Sequence, residues 1–295
     1  WALMSIVAPG LFPDPQRFTE FYRVPIERGG DPEVLAALRR RIRPLMRRRT
    51  KEQVAADLPP KQEQVLEVEL DPRHRKVYDT HLQRERRKVL GLVDDLQKNR
   101  FTVFRSLTLL RQLALAPVLV DEAHAGVPSS KADAFLELLQ EVVAEGHRVL
   151  VFSQFTRFLR IVRDRLDAAG LPHAYLDGRT RDRQARIEEF RGGRAPVFLI
   201  SLKAGGSGLN LTEADYVFVL DPWWNPAVEA QAVDRAHRIG QDKTVMVYRL
   251  VAAGTIEEKV MALQERKRDL FARVLDDGGA LSGALSADDI RGLFS

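Results

Sequence analysis

Arg235 and Arg238 lie three positions apart in a segment that also holds Gln231 and Asp234. A planar, permanently charged guanidinium suits charge spread over the oxygens of a transferring phosphoryl group, an effect worth about 10³ to 10⁵ in rate. Pro226 can open a helix there. At 3.6 residues per turn the four polar side chains then share an arc of roughly 100°, with Ala232, Val233, Ala236 and Ile239 on an adjoining face. Upstream, Phe198-Leu199-Ile200 closes a strand and Ala204-Gly205-Gly206-Ser207-Gly208 follows. Without Cβ atoms, the backbone amides of such a loop can approach a phosphate. The alternative is a solvated helix face whose arginines pair with Asp234 and Glu229.

The block from Ser201 to Gln241 carries three patterns in order: S-x-K-A-G-G-x-G-x-N-L, D-x-x-W-N-P and Q-A-x-D-R-x-H-R-x-G-Q. It closely resembles the ATPases of the SWI/SNF type within helicase superfamily two. The resemblance implies an α/β fold: a RecA-like parallel-sheet lobe of the P-loop NTPase helicase C-terminal kind, preceded by all-α helical protrusions and followed by C-terminal bracing helices. It implies that Arg235 and Arg238 are arginine fingers for ATP held on another lobe and that Gln231 places them. Gly206, Gly208 and Asp234 then lie at the nucleotide. ATP and Mg²⁺ are expected to be bound mainly by an upstream RecA-like lobe. The expected partners are that lobe, double-stranded DNA and a protein–DNA complex that is remodelled. The setting is cytoplasmic and nucleoid-associated in a bacterium, or nuclear in a eukaryote.

A chain of 295 residues, 45% of them apolar, can build two cores. No apolar run reaches the roughly 18 residues that span a bilayer, so no membrane partner is expected. The chain has no cysteine, which excludes disulfides and thiolate metal sites. Its six histidines show no metal-ligand spacing, and no structural metal is expected. The net charge of +5 points to an anionic partner. The densest basic run, from Arg39 to Lys51, reads as an amphipathic helix with Leu38, Ile42, Leu45 and Met46, broken near Pro44. It is either a solvated face or a nucleic-acid contact.

Residues 1–56 read as mostly helical, the first protrusion; 57–72 as a linker marked by Leu58-Pro59-Pro60-Lys61, with a short strand or extended segment over 64–70. Residues 73–129 read as the second protrusion, with helices over 73–96 and 104–115. The family's patterns are matched there by Arg39-Arg40, Ile42-Arg43-Pro44, Arg48-Arg49-Thr50-Lys51, Val77-Tyr78, Leu110-Arg111-Gln112 and Pro117. Over 130–250 strands and helices alternate, the signature of a parallel α/β sheet, with strands expected at 148–152, 173–176, 197–201, 216–220 and 245–248. Residues 251–295 complete the chain as brace helices, opened by a capping box of Thr255 and Glu258.

Val118 to His124 imitates a DEAH box. The chain contains neither Gly-Lys-Ser nor Gly-Lys-Thr, and such a box needs the lobe that carries that loop, so Glu122 and His124 read as surface residues. Half of the catalytic apparatus is therefore expected elsewhere, immediately upstream of Trp1, and the chain alone is expected not to hydrolyse ATP. A motor that tracks along DNA grips phosphates, which are present at every position. By resemblance the grips are Ser153 and Gln154; Gly178, Arg179 and Thr180; Ser201, Lys203, Ala204 and Gly205; and Trp224 and Asn225. Taken alone, Gly178-Arg179-Thr180 also fits a plain turn with a helix cap. A strand-separating DNA or RNA helicase and a non-catalytic DNA-binding fragment are the other readings, the latter disfavoured by the intact arginines.

Overall fold

Val149–Ser153 and Val197–Ser201 are buried along their whole length, as strands covered on both faces must be. These strands, β2 and β4, are interior neighbours in a six-stranded sheet. The others are β1 (Lys61–Val68), β3 (His173–Leu176), β5 (Tyr216–Val219) and β6 (Val245–Ala252). The order is β1-β6-β5-β2-β4-β3, and every pairing is parallel. The structure is a computed structural model and describes residues 1–29, 31–45, 55, 57–92, 95–204, 209–223, 226–265 and 287–294.

Each face of the sheet has its own core. One core gathers Phe135 and Leu139 from the helix Ser130–Ala144 and Phe158, Leu159 and Val162 from the helix Thr156–Ala168. The other gathers Ile187 and Phe190 from the helix Arg183–Arg191 with Ala232 and Val233 from Pro226–Val233. This is the parallel α/β sheet that the alternation of strands and helices predicts, and it matches the RecA-like lobe that the resemblance implies.

The linker takes a larger part in the sheet than its sequence suggests. Lys61 to Val68 forms a full edge strand, in register from Lys61 opposite Val245 to Val68 opposite Ala252. Glu63 anchors it: its carboxylate accepts from Lys61 Nζ at 2.6 Å and from Arg249 Nη1 at 2.8 Å. Burial opposes its ionisation, but the Lys61 hydrogen bond and the Arg249 charge outweigh it and hold the carboxyl at about 2. The folded group is thus ionised well below the pH at which the unfolded one takes a proton. Its stabilisation is present above about 4.5 and is lost as pH falls through about 2. Glu63→Gln is expected to cost about 1 kcal/mol at pH 7 after solvent screening, and this cost should shrink across that acid window in urea denaturation.

A third core joins the helices Pro72–Leu90 and Leu96–Leu115 to helix 256–265 and to Ala287–Phe294, through Tyr78, Leu107, Leu110, Ile256, Val260, Ile290 and Phe294. Leu96–Leu115 begins earlier than expected, whereas Pro72–Leu90 ends earlier. Tyr78 is fully buried, and its hydroxyl accepts from Ile256 N at 2.7 Å. Thr255 caps helix 256–265 by accepting from Glu257 N at 3.2 Å. Glu258 reaches back to Gly254 N at 2.8 Å, one residue before the position a capping box uses. Gly254 sits at φ 62°, and Arg75 Nη1 donates to its carbonyl at 3.0 Å.

The chain divides into two compact units, Trp1–Ala56 with Glu265–Ala284 and Asp57–Gln264 with Leu285–Ser295. In the first, Asp14 and Asp31 cap the helices Pro15–Phe18 and Pro32–Ile42, each carboxylate accepting two amides. Phe12 meets Phe18 and Tyr22 edge-on at 5.0 and 5.5 Å, with the Arg41 guanidinium over its ring. The basic helix ends at Ile42 and a 3₁₀ turn covers Arg43–Leu45; Met46 to Lys51 lie outside the described residues.

The DEAH-like stretch is no strand. Pro117–Leu119 and Glu122–His124 are 3₁₀ turns, and the exposed Asp121 accepts from Ala123 N at 2.9 Å. Among the described residues no helix is long and apolar enough to cross a membrane.

Candidate functional site

Pro226 opens a helix as its fixed φ favours, but that helix stops at Val233. The expected continuation through Arg235 and Arg238 is therefore corrected: Arg235 N bonds to Ala232 O and Ala236 N to Val233 O in 3₁₀ fashion, and Arg238 N turns back to Ala236 O. Tertiary bonds override the helical pattern. Arg235 O accepts from Leu211 N at 3.0 Å. The Gln241 amide donates to Thr212 O, Ala214 O and Ala236 O, while its oxygen accepts from Asp242 N and Lys243 N. Gly240, at φ 100°, makes the turn that brings Gln241 there. The two arginines project from a latched turn, and the shared helical arc does not apply to them.

Arg235 is 7% exposed, and its Nε has no partner among the described residues. Burial, then the neighbouring charges of Arg183 and Arg238, push its pKa down from the ordinary arginine value, although an arginine stays charged at any physiological pH. No carboxylate pairs with these three guanidiniums among the described residues. Arg183 donates to Ala204 O at 2.6 Å, and Arg238 is exposed. Glu229, one of the partners that the sequence offers for the arginines, is buried and already engaged. It accepts from Trp223 N and Gln264 Nε2, both at 2.6 Å, and from Arg249 Nε at 3.0 Å. Gln231 is exposed and Asp234 half-buried. A buried cation left without a counter-charge is costly unless an anion meets it, so the arrangement can receive a polyanion.

The loops beyond β2, β3 and β4 divide into inward and outward residues. Ser153 is fully buried and accepts from Phe155 N at 3.0 Å, while Ser201, 3% exposed, accepts from Ala204 N at 3.3 Å. Both hydroxyls brace their loops. In the next loop, Thr180 Oγ1 accepts from Asp177 N at 2.9 Å and Asp177 accepts from Arg179 N at 2.8 Å. Thr180 thus closes a turn, while Asp182 caps the following helix. Gly178, Arg179 and Lys203 face solvent, and Ala204 is buried. Gly205, Gly206, Gly208, Trp224 and Asn225 lie outside the described residues.

Beneath these loops runs a buried ionic network that the motifs do not announce. Arg111 donates to Pro222 O at 2.6 Å, contacts Asp221 at 3.4 Å and stacks over the Trp223 ring at 4.7 Å. Gln154, with its amide oxygen turned to Arg111, accepts from Nη2 at 2.7 Å, and its backbone N–H donates to Asp221 at 3.2 Å. Its side chain is thus held by the helix Leu96–Leu115. Burial pushes the Asp221 carboxyl up to about 7, against the pull of Arg111. Lys131, also fully buried, joins Leu220 O, Leu250 O and the Glu257 carboxylate. Leu110-Arg111-Gln112 matches a pattern in the sequence, whereas nothing local marks Lys131. No three His, Cys, Asp or Glu residues gather as a metal site among the described residues.

Comparison with known proteins matches residues 1–136 to the SNF2-related domain and residues 130–240 to the helicase conserved C-terminal domain. Among curated proteins, an uncharacterised ATP-dependent helicase of Mycoplasma pneumoniae is 34% identical over 299 residues, covering 100% of the chain and 28% of that protein. The mouse SWI/SNF-related matrix-associated actin-dependent regulator of chromatin, subfamily A member 1, is 34% identical over 293 residues, covering 94% of the chain and 28% of that protein. The chain thus spans little more than a quarter of these relatives. Among solved structures, the Sulfolobus solfataricus SWI2/SNF2 ATPase core in complex with double-stranded DNA aligns with a TM-score of 0.61 and 29% identity, over 99% of the chain and 63% of that core.

Proposed function

We propose, from the matches to the SNF2-related and helicase conserved C-terminal domains, that the chain is the second motor lobe of an ATP-dependent double-stranded DNA translocase that remodels protein–DNA complexes. The single observation that carries this reading is Arg235: buried and, among the described residues, unpartnered at Nε and grouped with two further arginines with which no carboxylate pairs. That set fits the triphosphate of ATP presented by a second, upstream lobe. Among the described residues no carboxylate set fits Mg²⁺, whose holding we assign to that other lobe; when bound, the ion would neutralise charge on the β- and γ-phosphoryl oxygens.

In hydrolysis a water oxygen bonds to the γ-phosphorus while the bond to the β–γ bridging oxygen breaks, and the water's proton leaves to solvent. Arg235 and Arg238 donate hydrogen bonds to the γ-phosphoryl oxygens as charge spreads over them, and neither gives up a proton. By resemblance Gln231 places these arginines, and Asp234, Gly206 and Gly208 are assigned to the nucleotide. Gly178, Arg179 and Lys203, exposed on adjacent loops, meet DNA phosphates together with Gly205, Trp224 and Asn225. Ser153, Gln154, Thr180, Ser201 and Ala204 shape the loops that present these contacts. Phosphate contacts of this kind suit movement along any sequence.

In the full-length protein, ATP-driven displacement of a third strand from a DNA triplex is expected, without separation of a forked duplex. Strand separation without triplex displacement would overturn the translocase reading in favour of a helicase.

A further inference from the structure

The connection from Ala204 to Leu211 is clamped at both ends by arginines. Arg183 Nη2 donates to Ala204 O at 2.6 Å at one end, and the Arg235 carbonyl accepts from Leu211 N at 3.0 Å at the other. Ala204 in turn closes the turn that begins at Ser201, since its N–H donates to Ser201 Oγ, and Leu202 N donates to Ser153 O at 3.0 Å. A displacement of this turn therefore reaches Arg183 directly, through the Ala204 carbonyl. Arg183 also bears on Arg235 electrostatically, because the two like charges stand close enough for the first to disfavour the second. Arg183 is not among the residues that the motifs mark for nucleotide or DNA.

We propose that Arg183 is a positioning residue that couples the Ser201–Ala204 turn to Arg235, so that DNA gripped at the turn raises ATP turnover through it. This rests on the motor-lobe reading above. The physical content is a coupling between two anion sites, of the size that changes one site's response about 5- to 150-fold. Arg183 holds the turn through a carbonyl that no DNA phosphate can occupy, and it contributes a charge whose repulsion with Arg235 an arriving triphosphate relieves.

The test uses the full-length protein and compares ATP turnover with saturating duplex DNA to turnover without it. Arg183→Ala is expected to lower this stimulation ratio about tenfold. Arg183→Lys, which keeps the charge and a donor, should restore at least a third of it. Melting temperatures report folding; if alanine unfolds the lobe, Arg183→Gln serves as the neutral variant, with a ratio expected below that of Arg183→Lys. A wild-type ratio in the folded neutral variant, or a loss that lysine does not restore, overturns the coupling. Arg235→Ala is measured alongside. If it turns over ATP at the wild-type rate, the motor-lobe reading fails; if it is inactive while the neutral Arg183 variant keeps the wild-type ratio, only the coupling fails.

Discussion

Replacing Arg235 by alanine in the full-length protein is expected to lower DNA-stimulated ATP turnover by about 10³-fold or more, within the range that an arginine finger supplies. The expectation follows from where the side chain sits. A surface arginine in water has its charge screened and its donors solvated, and its loss changes little. Arg235 is only 7% exposed, and among the described residues it has no carboxylate partner and an unpartnered Nε. An arginine so desolvated acts on an arriving phosphoryl group at a lower effective dielectric, where each donor is worth more. Arg235→Lys keeps a charge but loses the planar fork, so its turnover should remain at least tenfold below wild type. ATP affinity, measured by equilibrium binding of a fluorescent ATP analogue, should change far less than kcat, because the contact strengthens as charge develops. Turnover by Arg235→Ala within tenfold of wild type would exclude a finger role.

The placement of this arginine also shows what the sequence could and could not disclose. The strands β2 to β6 were legible because buried parallel strands read as short apolar runs between glycines, prolines and polar turns. The edge strand β1 was only half legible: its Lys61, Gln62, Glu63 and Gln64 protect an open edge, and such residues carry little strand signal of their own. Its pairing with β6 depends on residues 186 positions apart, as between Glu63 and Arg249. The helix at Pro226 was readable at its start but not at its end. Ala232, Val233 and Ala236 continue a helical pattern, and only the long-range bonds of Leu211 and Gln241 stop it at Val233.

The same limit applies to the candidate site. Arg235 and Arg238 stand out through motif spacing, yet Arg183 sits in an ordinary charged helix, Arg183–Arg191. Nothing local distinguishes it from Arg186, which pairs with Glu189 at 2.6 Å on that helix. Local pattern identifies which residues are able to do chemistry; counter-charge, which decides whether they are free to do it, is set by tertiary neighbours.

Lys131→Met is expected to destabilise the lobe by about 3–5 kcal/mol, the usual consequence of removing one partner of a buried ion pair. Lys131 is completely buried, and burial lowers its pKa against the pull of Glu257. Its Nζ donates to Leu220 O and Leu250 O, both at 2.9 Å, and to the Glu257 carboxylate, which also accepts from Ala252 N at 2.8 Å. One ammonium thus ties the ends of β5 and β6 to the start of helix 256–265. Removing it leaves the Glu257 carboxylate in the interior without its counter-charge and takes one donor from each of two carbonyls. Lys131→Met/Glu257→Gln removes the stranded charge while keeping an acceptor for Ala252 N, and should recover at least half of the loss. Urea midpoints at constant m-value measure both variants. A loss below about 1 kcal/mol for the single variant, or a double variant no more stable than the single one, would show that the pair is not coupled as the geometry requires. The consequence extends to the candidate site, since Leu220 immediately precedes the Asp221-Pro222-Trp223 segment held by Arg111 and Glu229. Loosening the end of β5 should therefore also slow DNA-stimulated turnover in the folded fraction, whereas a loss confined to stability would separate this network from the motor.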